Sequence, residues 1–441
     1  MKAKTMRADD TIFALSSGSL PAGLAVIRLS GSSAFRAAEK LVGFVPQKRM
    51  AVLRTVKAPD GSIIDRGLIL TFPGPQSFTG EDCVELHLHG SRAVVSKLYT
   101  VLEAMGLRLA EPGEFSRRAL DNGKLDLVEA EGLSDLLRAE TEMQRRLAIE
   151  QADGGLSLVY RQWAKELTHA RALIEAELDF ADEDDIPGSV SATIWPRIKV
   201  LKADIDRQLQ ATESAEIVRD GFHVAIVGPP NAGKSSLLNA LAGRDVAIVT
   251  DVAGTTRDIL NIDLDIDGYL IRFFDTAGIR DTDDIVEKEG IRRARAVAQR
   301  ADIVLSLRAP STDSISIEEF PDVPVWSVIT KADLSSIEID TKTEFLISSK
   351  TGDGLDELKA AIGEAVSQQW EAISSLRPGR LRHAQLLQRA SNFLQEALQG
   401  SQLDMQAECL RLAAEELGRI TGQVDVEQLL DIIFSEFCIG K

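Results

Sequence analysis

Three textures of apolar and polar spacing follow one another along the chain. Up to about residue 120, short apolar runs at Leu24–Leu29, Leu68–Phe72 and Cys83–His89 are bounded by Gly, Pro and Ser, as strands are. A helical stretch covers Arg92–Met105 among them. From about Leu125 the spacing becomes helical: Val159, Trp163, Leu167, Ala170 and Ile174 recur on one face, then Trp195, Ile198, Leu201, Ile205 and Leu209. Strand and helix signals alternate from Phe222 to about Val366, which predicts a mainly parallel sheet covered by helices. After Pro378 the helical spacing returns, with Leu387, Ala390, Leu394 and Ala397 on one face and Val426, Leu429 and Ile433 on another. The predicted fold is therefore multidomain, α/β plus all-α. A mixed α/β domain spans 1–120, a helical domain is split between 121–218 and 373–441, and an α/β domain at 219–372 is inserted into it. Insertion is physically easy when the guest's ends lie close together at a surface loop.

Composition narrows the class without naming a chemistry. At 441 residues the chain exceeds one hydrophobic core, and its length suggests about three domains. A 44 % hydrophobic and 27 % charged composition is that of an ordinary soluble protein. No apolar run approaches the roughly 18 residues of a membrane span, and MKAKTMRADD lacks a signal-peptide core. Cys83, Cys409 and Cys438 form neither a paired framework nor a CxxC spacing, so a reducing, cytoplasmic setting is expected. A formal charge of −18 excludes coating of nucleic acid by the whole surface but leaves room for a local basic patch. Arg117, Arg118, Arg377, Arg380 and Arg382 are the nearest basic clusters. Asp182, Glu183, Asp184 and Asp185, closed by Pro187, read as a solvated helix end and loop in preference to a metal site.

The string HVAIVGPPNAGKSSLLNAL carries the strongest chemical signal. His223–Val227 is a buried-strand run, Gly228–Ser235 fits GxxxxGK[ST], and Ser236–Leu241 continues as a helix. Gly228 and Gly233 let the backbone N–H groups of Asn231, Ala232 and Gly233 surround a β-phosphate at a helix N-terminus. Lys234 would reach the β- and γ-phosphates, Ser235 would ligate Mg²⁺, and Ser236 continues the phosphate-facing turn. Three further elements follow in order. TDVAGTTRD supplies Thr250, Asp251, Val252, Ala253, Gly254, Thr255 and Thr256, with Thr256 placed to close on the γ-phosphate and Mg²⁺. FFDTAG brings Asp275, Thr276, Ala277 and Gly278, where Asp275 would hold Mg²⁺ through water and the Gly278 amide would sense the γ-phosphate. VITKAD brings Thr330, Lys331 and Asp333, whose carboxylate accepts from guanine's ring N–H and amino group, a pair adenine lacks. Ser348, Ser349 and Lys350 would cap the base through backbone amides. Together these make the inserted domain a P-loop G domain that binds and hydrolyses GTP. Thr330 stands where most G proteins have Asn; a hydroxyl can still tether neighbouring loops, so guanine specificity is expected with weaker affinity.

The water-orienting glutamine that many small G proteins carry after DxxG is Ile279 here. Arg257 is close enough in sequence to be a candidate finger. Asn231 offers an alternative: its side-chain carbonyl could coordinate a monovalent cation beside the phosphates, with the carbonyls of Thr250 and Val252 and with Thr255 completing an oxygen cage. A hydrogen bond that stiffens the loop explains Asn231 equally well. Glu287, eight residues after Ile279, could position water as a carboxylate.

Outside the G domain stand SFTGEDCVELHLHG (77–90), EPGEFSRRALDNGKLDLVEAEG (111–132) and a terminal CIGK (438–441). With GPPNAGKSS, TDVAGTTRD and DTAG, these make the chain resemble the MnmE (TrmE) family of tRNA-modification GTPases over essentially its full length. The resemblance implies a homodimer joined through folate-binding-like N-terminal domains, with G domains that meet when potassium and GTP are bound. It implies work with an FAD-dependent partner, MnmG, to install a carboxymethylaminomethyl or aminomethyl group at carbon 5 of the tRNA wobble uridine. A reduced folate, 5-formyltetrahydrofolate or a relative of it, would supply the one-carbon unit. The carry-over makes Asn231, Thr250, Val252 and Thr255 potassium ligands, Ser235 and Thr256 Mg²⁺ ligands, and Glu287 with Lys234 catalytic. Folate contacts would be Arg28, Glu85, Lys124 and Lys441; taken alone, Arg28 and Lys124 read as ordinary surface charges. Cys438 reads either as a thiolate at the modification site or as packing. The competing expectation is a regulatory GTPase switch in ribosome assembly, and a weaker one a free-standing folate-dependent transferase. The flanking motifs favour tRNA modification.

Overall fold

The computed structural model describes residues 10–179, 193–229, 231–244, 261–275, 300–310, 323–334, 344–371, 380–424 and 440. Contacts divide the chain into two compact units. One is built on the residues before 135 with 157–164 and those from 417 onward; the other takes 135–156 and 165–416.

In the first unit, β1 (Ile12–Leu15), β2 (Ala22–Ser30), α1 (Ala34–Val42), β3 (Val52–Lys57), β4 (Ile63–Phe72), β5 (Cys83–Gly90), α2 (Arg92–Ala104) and β6 (Arg108–Leu109) precede α3 (Glu114–Asp121). The strands make a six-stranded sheet in the order β3-β4-β5-β2-β1-β6, antiparallel except where β6 lies parallel to β1. Alternation decides which way each side chain faces. In β5, Val84, Leu86 and Leu88 are buried while Glu85 and His87 are partly exposed and His89 is exposed. The buried set joins Ile27, Leu29 and Ile69 against α1 and α2, with Ala37, Leu41, Leu98 and Leu102 filling the layer. Burial of each such large side chain contributes about 1.5–3 kcal/mol.

The other face is covered over only part of its width. Phe115 of α3 and Phe78 pack on Ile12, Ala14 and Ala110 at the β1 end. Beyond them, the register aligns Leu53, Leu68, His87 and Val26 in one cross-strand row, in which Leu53 is 48 % and Leu68 41 % exposed.

Two of the motif strings are bolted together beneath this cover. Arg118 donates to Glu81 at 3.0 Å and to Glu114 at 3.1 Å, and Arg108 donates to Glu114 at 2.6 Å. The Asn122 side-chain amide reaches the Thr79 carbonyl at 2.7 Å, and Ser30 joins Thr79 and Glu81, each at 2.6 Å. Burial works to raise Glu114's pKa, but the Arg108 bond, the Glu111 amide and the Arg118 charge outweigh it and hold the carboxyl below its usual range.

The remaining elements are α4 (Leu127–Arg138), α5 (Glu142–Ala152), α6 (Gly155–Asp179), α7 (Trp195–Asp220), β7 (Phe222–Val227), α8 (Lys234–Arg244), β8 (Asn261–Ile266), β9 (Tyr269–Asp275), β10 (Ile303–Arg308), β11 (Val325–Ile329), β12 (Glu344–Leu346), α9 (Leu355–Glu371), α10 (Leu381–Gln399) and α11 (Leu403–Thr421). Thr141 and Gln144 close a reciprocal capping box at the start of α5. The face predicted on α6 is buried at Trp163, Leu167, Ala170 and Ile174, with Tyr160 in the place expected of Val159. Leu387, Ala390, Leu394 and Ala397 are fully buried on α10, which packs beside α7 and donates the Ser391 hydroxyl to Asp206 at 2.5 Å. The G-domain strands thus leave the end of α7 and return to a helix lying beside it.

Those strands form the second sheet, in the order β12-β11-β10-β7-β9-β8. All neighbours run parallel except β8, an edge strand joined to β9 by a two-residue turn. The core gathers Val224, Ile226, Phe273, Leu305, Leu307 and Val328 from the strands with Leu237, Leu241, Leu358 and Ile362 from α8 and α9. The predicted acidic run at 182–185 and the face at Val426, Leu429 and Ile433 lie outside the described residues.

Candidate functional site

Parallel strands place the chemistry of the second unit at their carboxyl ends. The phosphate loop follows β7, Asp275 ends β9, the segment from Thr330 follows β11 and Ser348 follows β12. Gly228 is required by close approach, since an added Cβ would stand 2.5 Å from the Leu307 carbonyl. Asn231 has φ +64 and Lys331 φ +59, two of the four non-glycine residues with a left-handed backbone among those described. Asn tolerates that conformation better than most residues, which gives its presence in the loop a backbone reason of its own.

Lys234 is 8 % exposed and its Nζ donates to the carbonyls of Gly228 at 2.6 Å and Pro229 at 3.1 Å. Burial lowers its pKa, opposed by the charge of Asp275. Ser235 Oγ lies 3.4 Å from Asp275 Oδ2, so a hydroxyl and a buried carboxylate converge at the start of α8. Two hard oxygen donors at that separation suit one small divalent cation.

The base-reading segment is tied to the phosphate loop. Thr330, 2 % exposed, donates its hydroxyl to the Ala232 carbonyl at 2.7 Å. Asp333 is exposed and accepts from the Ser348 hydroxyl at 2.8 Å, while the Ala332 amide donates to the Ile347 carbonyl at 3.0 Å. Asn231, Ala232, Gly233, Lys234, Ser235, Asp275, Thr330, Lys331, Asp333, Ser348, Ser349 and Lys350 therefore all gather at the carboxyl end of one sheet, on its loops, at the start of α8 and at the end of β9. Ser236 follows in the first turn of α8. Thr250–Thr256, Thr276–Gly278 and Glu287 lie outside the described residues.

In the first unit the structure joins two of the four predicted folate contacts. Arg28 Nε donates to Glu85 Oε1 at 3.1 Å, and both side chains are 20 % exposed. Arg28 also lies over the rings of Phe78 at 5.1 Å and Phe115 at 5.7 Å. It is therefore no ordinary surface charge. His87 Nε2 lies 3.2 Å from Glu85 Oε2. His87 and the two rings are neighbours of the Arg28–Glu85 pair that sequence reasoning missed, although the alternation in CVELHLHG puts Glu85 and His87 on one face. Lys124 is exposed in the turn after α3, its amide bonded to the Ala119 carbonyl at 2.7 Å. Gly440 of CIGK is buried against the same sheet, accepting the Ser16 hydroxyl at 2.7 Å. Cys438 and Lys441 lie outside the described residues.

Of the basic clusters, Arg377 lies outside the described residues, while Arg118 and Arg380 are tied to carboxylates. Arg118 is 8 % exposed and committed to Glu81 and Glu114, and Arg380 pairs with Asp135 at 2.6 Å.

Residues 11–124 match the family described as GTP-binding protein TrmE N-terminus, and residues 127–438 match the MnmE helical domain. The chain belongs to the MnmE family of tRNA modification GTPases. It is 55 % identical over 437 residues to the tRNA modification GTPase MnmE of Agrobacterium fabrum, covering 98 % of this chain and 99 % of that one. The MnmE of Sinorhizobium medicae is 55 % identical over 440 residues, covering 99 % and 100 %, and that of Brucella anthropi 51 % over 437 residues, covering 98 % of each. MnmE membership takes in the flanking domains as well as the G domain, which decides against a bare ribosome-assembly switch. No described helix is long and apolar enough to cross a membrane.

Proposed function

We propose that this chain hydrolyses GTP to drive a tRNA wobble-uridine modification, addition of carboxymethylaminomethyl or aminomethyl at carbon 5. The observation that carries the reading is the hydrogen bond from Thr330 to Ala232, which makes the phosphate loop and the base-reading segment one site in a chain of MnmE sequence. GTP enters with guanine on Asp333 and its phosphates in the loop formed by Asn231, Ala232 and Gly233. Lys234 exchanges its carbonyl partners for β- and γ-phosphate oxygens. Ser235 and Asp275 are the residues that would hold Mg²⁺, which supplies charge neutralisation on the phosphates.

Glu287 orients the attacking water, and Thr256 closes over the γ-phosphate. Asn231 with Thr250, Val252 and Thr255 would hold potassium, which would supply positive charge beside the phosphates. The position of Asn231 in the phosphate loop supports that role. In the first unit, Arg28, Glu85, Lys124 and Lys441 would hold the reduced folate, which would supply the one-carbon unit. Glu85 suits the pterin's amino groups, and Phe78 and Phe115 fix the guanidinium beside it. Both Glu85 oxygens already have partners but keep lone pairs for a further donor. Cys438 stands two residues before Gly440 in sequence, and a thiol role for it at this site is part of the proposal. The exposed row at Leu53 and Leu68 supports homodimerisation through this sheet, and an FAD-dependent MnmG-type partner completes a cytoplasmic complex.

Nucleoside analysis of tRNA from cells lacking the chain tests the proposal. Loss of the carbon-5 group from wobble uridines, restored by the intact gene but not by a Ser235→Ala form, is expected. Unchanged nucleosides overturn it.

A further inference from the structure

A guanine held by Asp333 presents its Watson–Crick edge to the carboxylate, leaving the acceptor N7 on its other edge. Whether anything reads N7 depends on the donors of the same segment. Thr330 is the buried polar side chain there, and a hydroxyl carries a single proton. That proton is committed: Oγ1 lies 2.7 Å from the Ala232 carbonyl and 3.3 Å from the Arg308 carbonyl, two acceptors that hold it inside the protein. The close packing of Thr330 against the phosphate loop fixes this arrangement. A Cβ added at Gly233 would stand 3.4 Å from Oγ1 and 3.5 Å from both Cβ and Cγ2 of Thr330. The neighbouring hydroxyl of Ser348 is likewise committed, to Asp333 at 2.8 Å.

We infer that Thr330 is a positioning residue that couples the base-reading segment to the phosphate loop and leaves guanine N7 unread, so that this GTPase recognises guanine by its Watson–Crick edge alone. The inference rests on the GTPase reading of the site. An amide side chain at this position has two N–H protons, one for the Ala232 carbonyl and one to spare; a hydroxyl has none to spare.

The test is equilibrium binding of GDP and 7-deaza-GDP, which has carbon in place of N7, to the full-length chain and to three variants. The unmodified chain is expected to bind the two nucleotides equally. Thr330→Asn is expected to tighten GDP but not 7-deaza-GDP, opening a ratio of about tenfold, the worth of one hydrogen bond. Thr330→Val is expected to weaken both nucleotides by the same factor, and Thr330→Ser to restore both, a pattern that general destabilisation does not give. A weaker affinity of the unmodified chain for 7-deaza-GDP overturns the inference, as does equal binding by Thr330→Asn. Failure of the unmodified chain to bind either nucleotide overturns the GTPase reading itself, and this inference with it.

Discussion

Ser16 donates its hydroxyl to the carbonyl of Gly440 at 2.7 Å, fastening the CIGK segment to the sheet that carries Arg28 and Glu85. Gly440 has φ +105, and an added Cβ would stand 2.0 Å from the Leu15 carbonyl, so only glycine fits. Gly440→Ala is expected to displace the segment and abolish restoration of modified wobble uridine in deficient cells. GTP hydrolysis by the same purified variant is expected to stay unchanged, because the G-domain loops are untouched. Loss of both activities would show that the segment does something other than serve the first unit.

The buried Arg118 and Glu114 predict a stability effect. Truncating Arg118 to Ala leaves Glu114, wholly buried at its side chain, with Arg108 and the Glu111 amide and releases the Glu81 loop. Removing one partner of a buried pair costs about 3–5 kcal/mol, and the surviving Arg108 contact places this case at the lower end. Thermal unfolding followed by circular dichroism checks it.

The same carboxylate predicts a pH dependence. The native pKa of Glu114 lies below its ordinary value of 4.5. Its ionised form therefore contributes stability that is present above that value and is lost as pH falls through the native pKa. Urea midpoints measured from pH 7 down into the acid range should fall more steeply for the unmodified chain than for Glu114→Gln, which starts lower but has no such proton to take up.

The nucleotide site was legible in the sequence because its parts are local. GPPNAGKSS and TKAD each encode a backbone turn at a strand end, and the parallel sheet needs only to bring those ends together. The first unit was less legible because its chemistry is long-range. Arg28 meets Glu85 across two strands, Phe78 arrives from a loop and Phe115 from α3, and Arg118 spans two motifs that sequence presents as unrelated. The basic residues at 117–118 and 380–382 stand in the sequence as clustered charge, and only the fold shows the carboxylates that Arg118 and Arg380 meet. The antiparallel β8 was hidden in an alternation of signals that strand direction does not alter.

Ser235 and Asp275 predict the divalent requirement. Ser235→Ala removes one oxygen of a pair 3.4 Å apart and leaves the loop backbone intact. Nucleotide binding without a divalent cation should match the unmodified chain, while the enhancement by Mg²⁺ should fall by about tenfold or more, the worth of a lost charge-assisted contact. Titration of Mg²⁺ against GDP affinity reads the difference.

Asn231 carries two explanations that one pair of variants separates. Its left-handed φ of +64 is satisfied by Asn and by Gly, whereas Ala at the same φ is strained by about 1–2 kcal/mol. The cation reading instead needs the side-chain carbonyl, which neither Gly nor Ala has. If Asn231 serves only the backbone, Asn231→Gly keeps full GTP hydrolysis and Asn231→Ala loses affinity for nucleotide. If it also holds potassium, Asn231→Gly binds GTP normally but hydrolyses it at the same slow rate in sodium and in potassium. The second pattern is expected, because Ile279 offers no side chain to orient water and the charge developing between the phosphates needs a compensating cation. Steady-state hydrolysis in the two salts, with binding measured alongside, separates them.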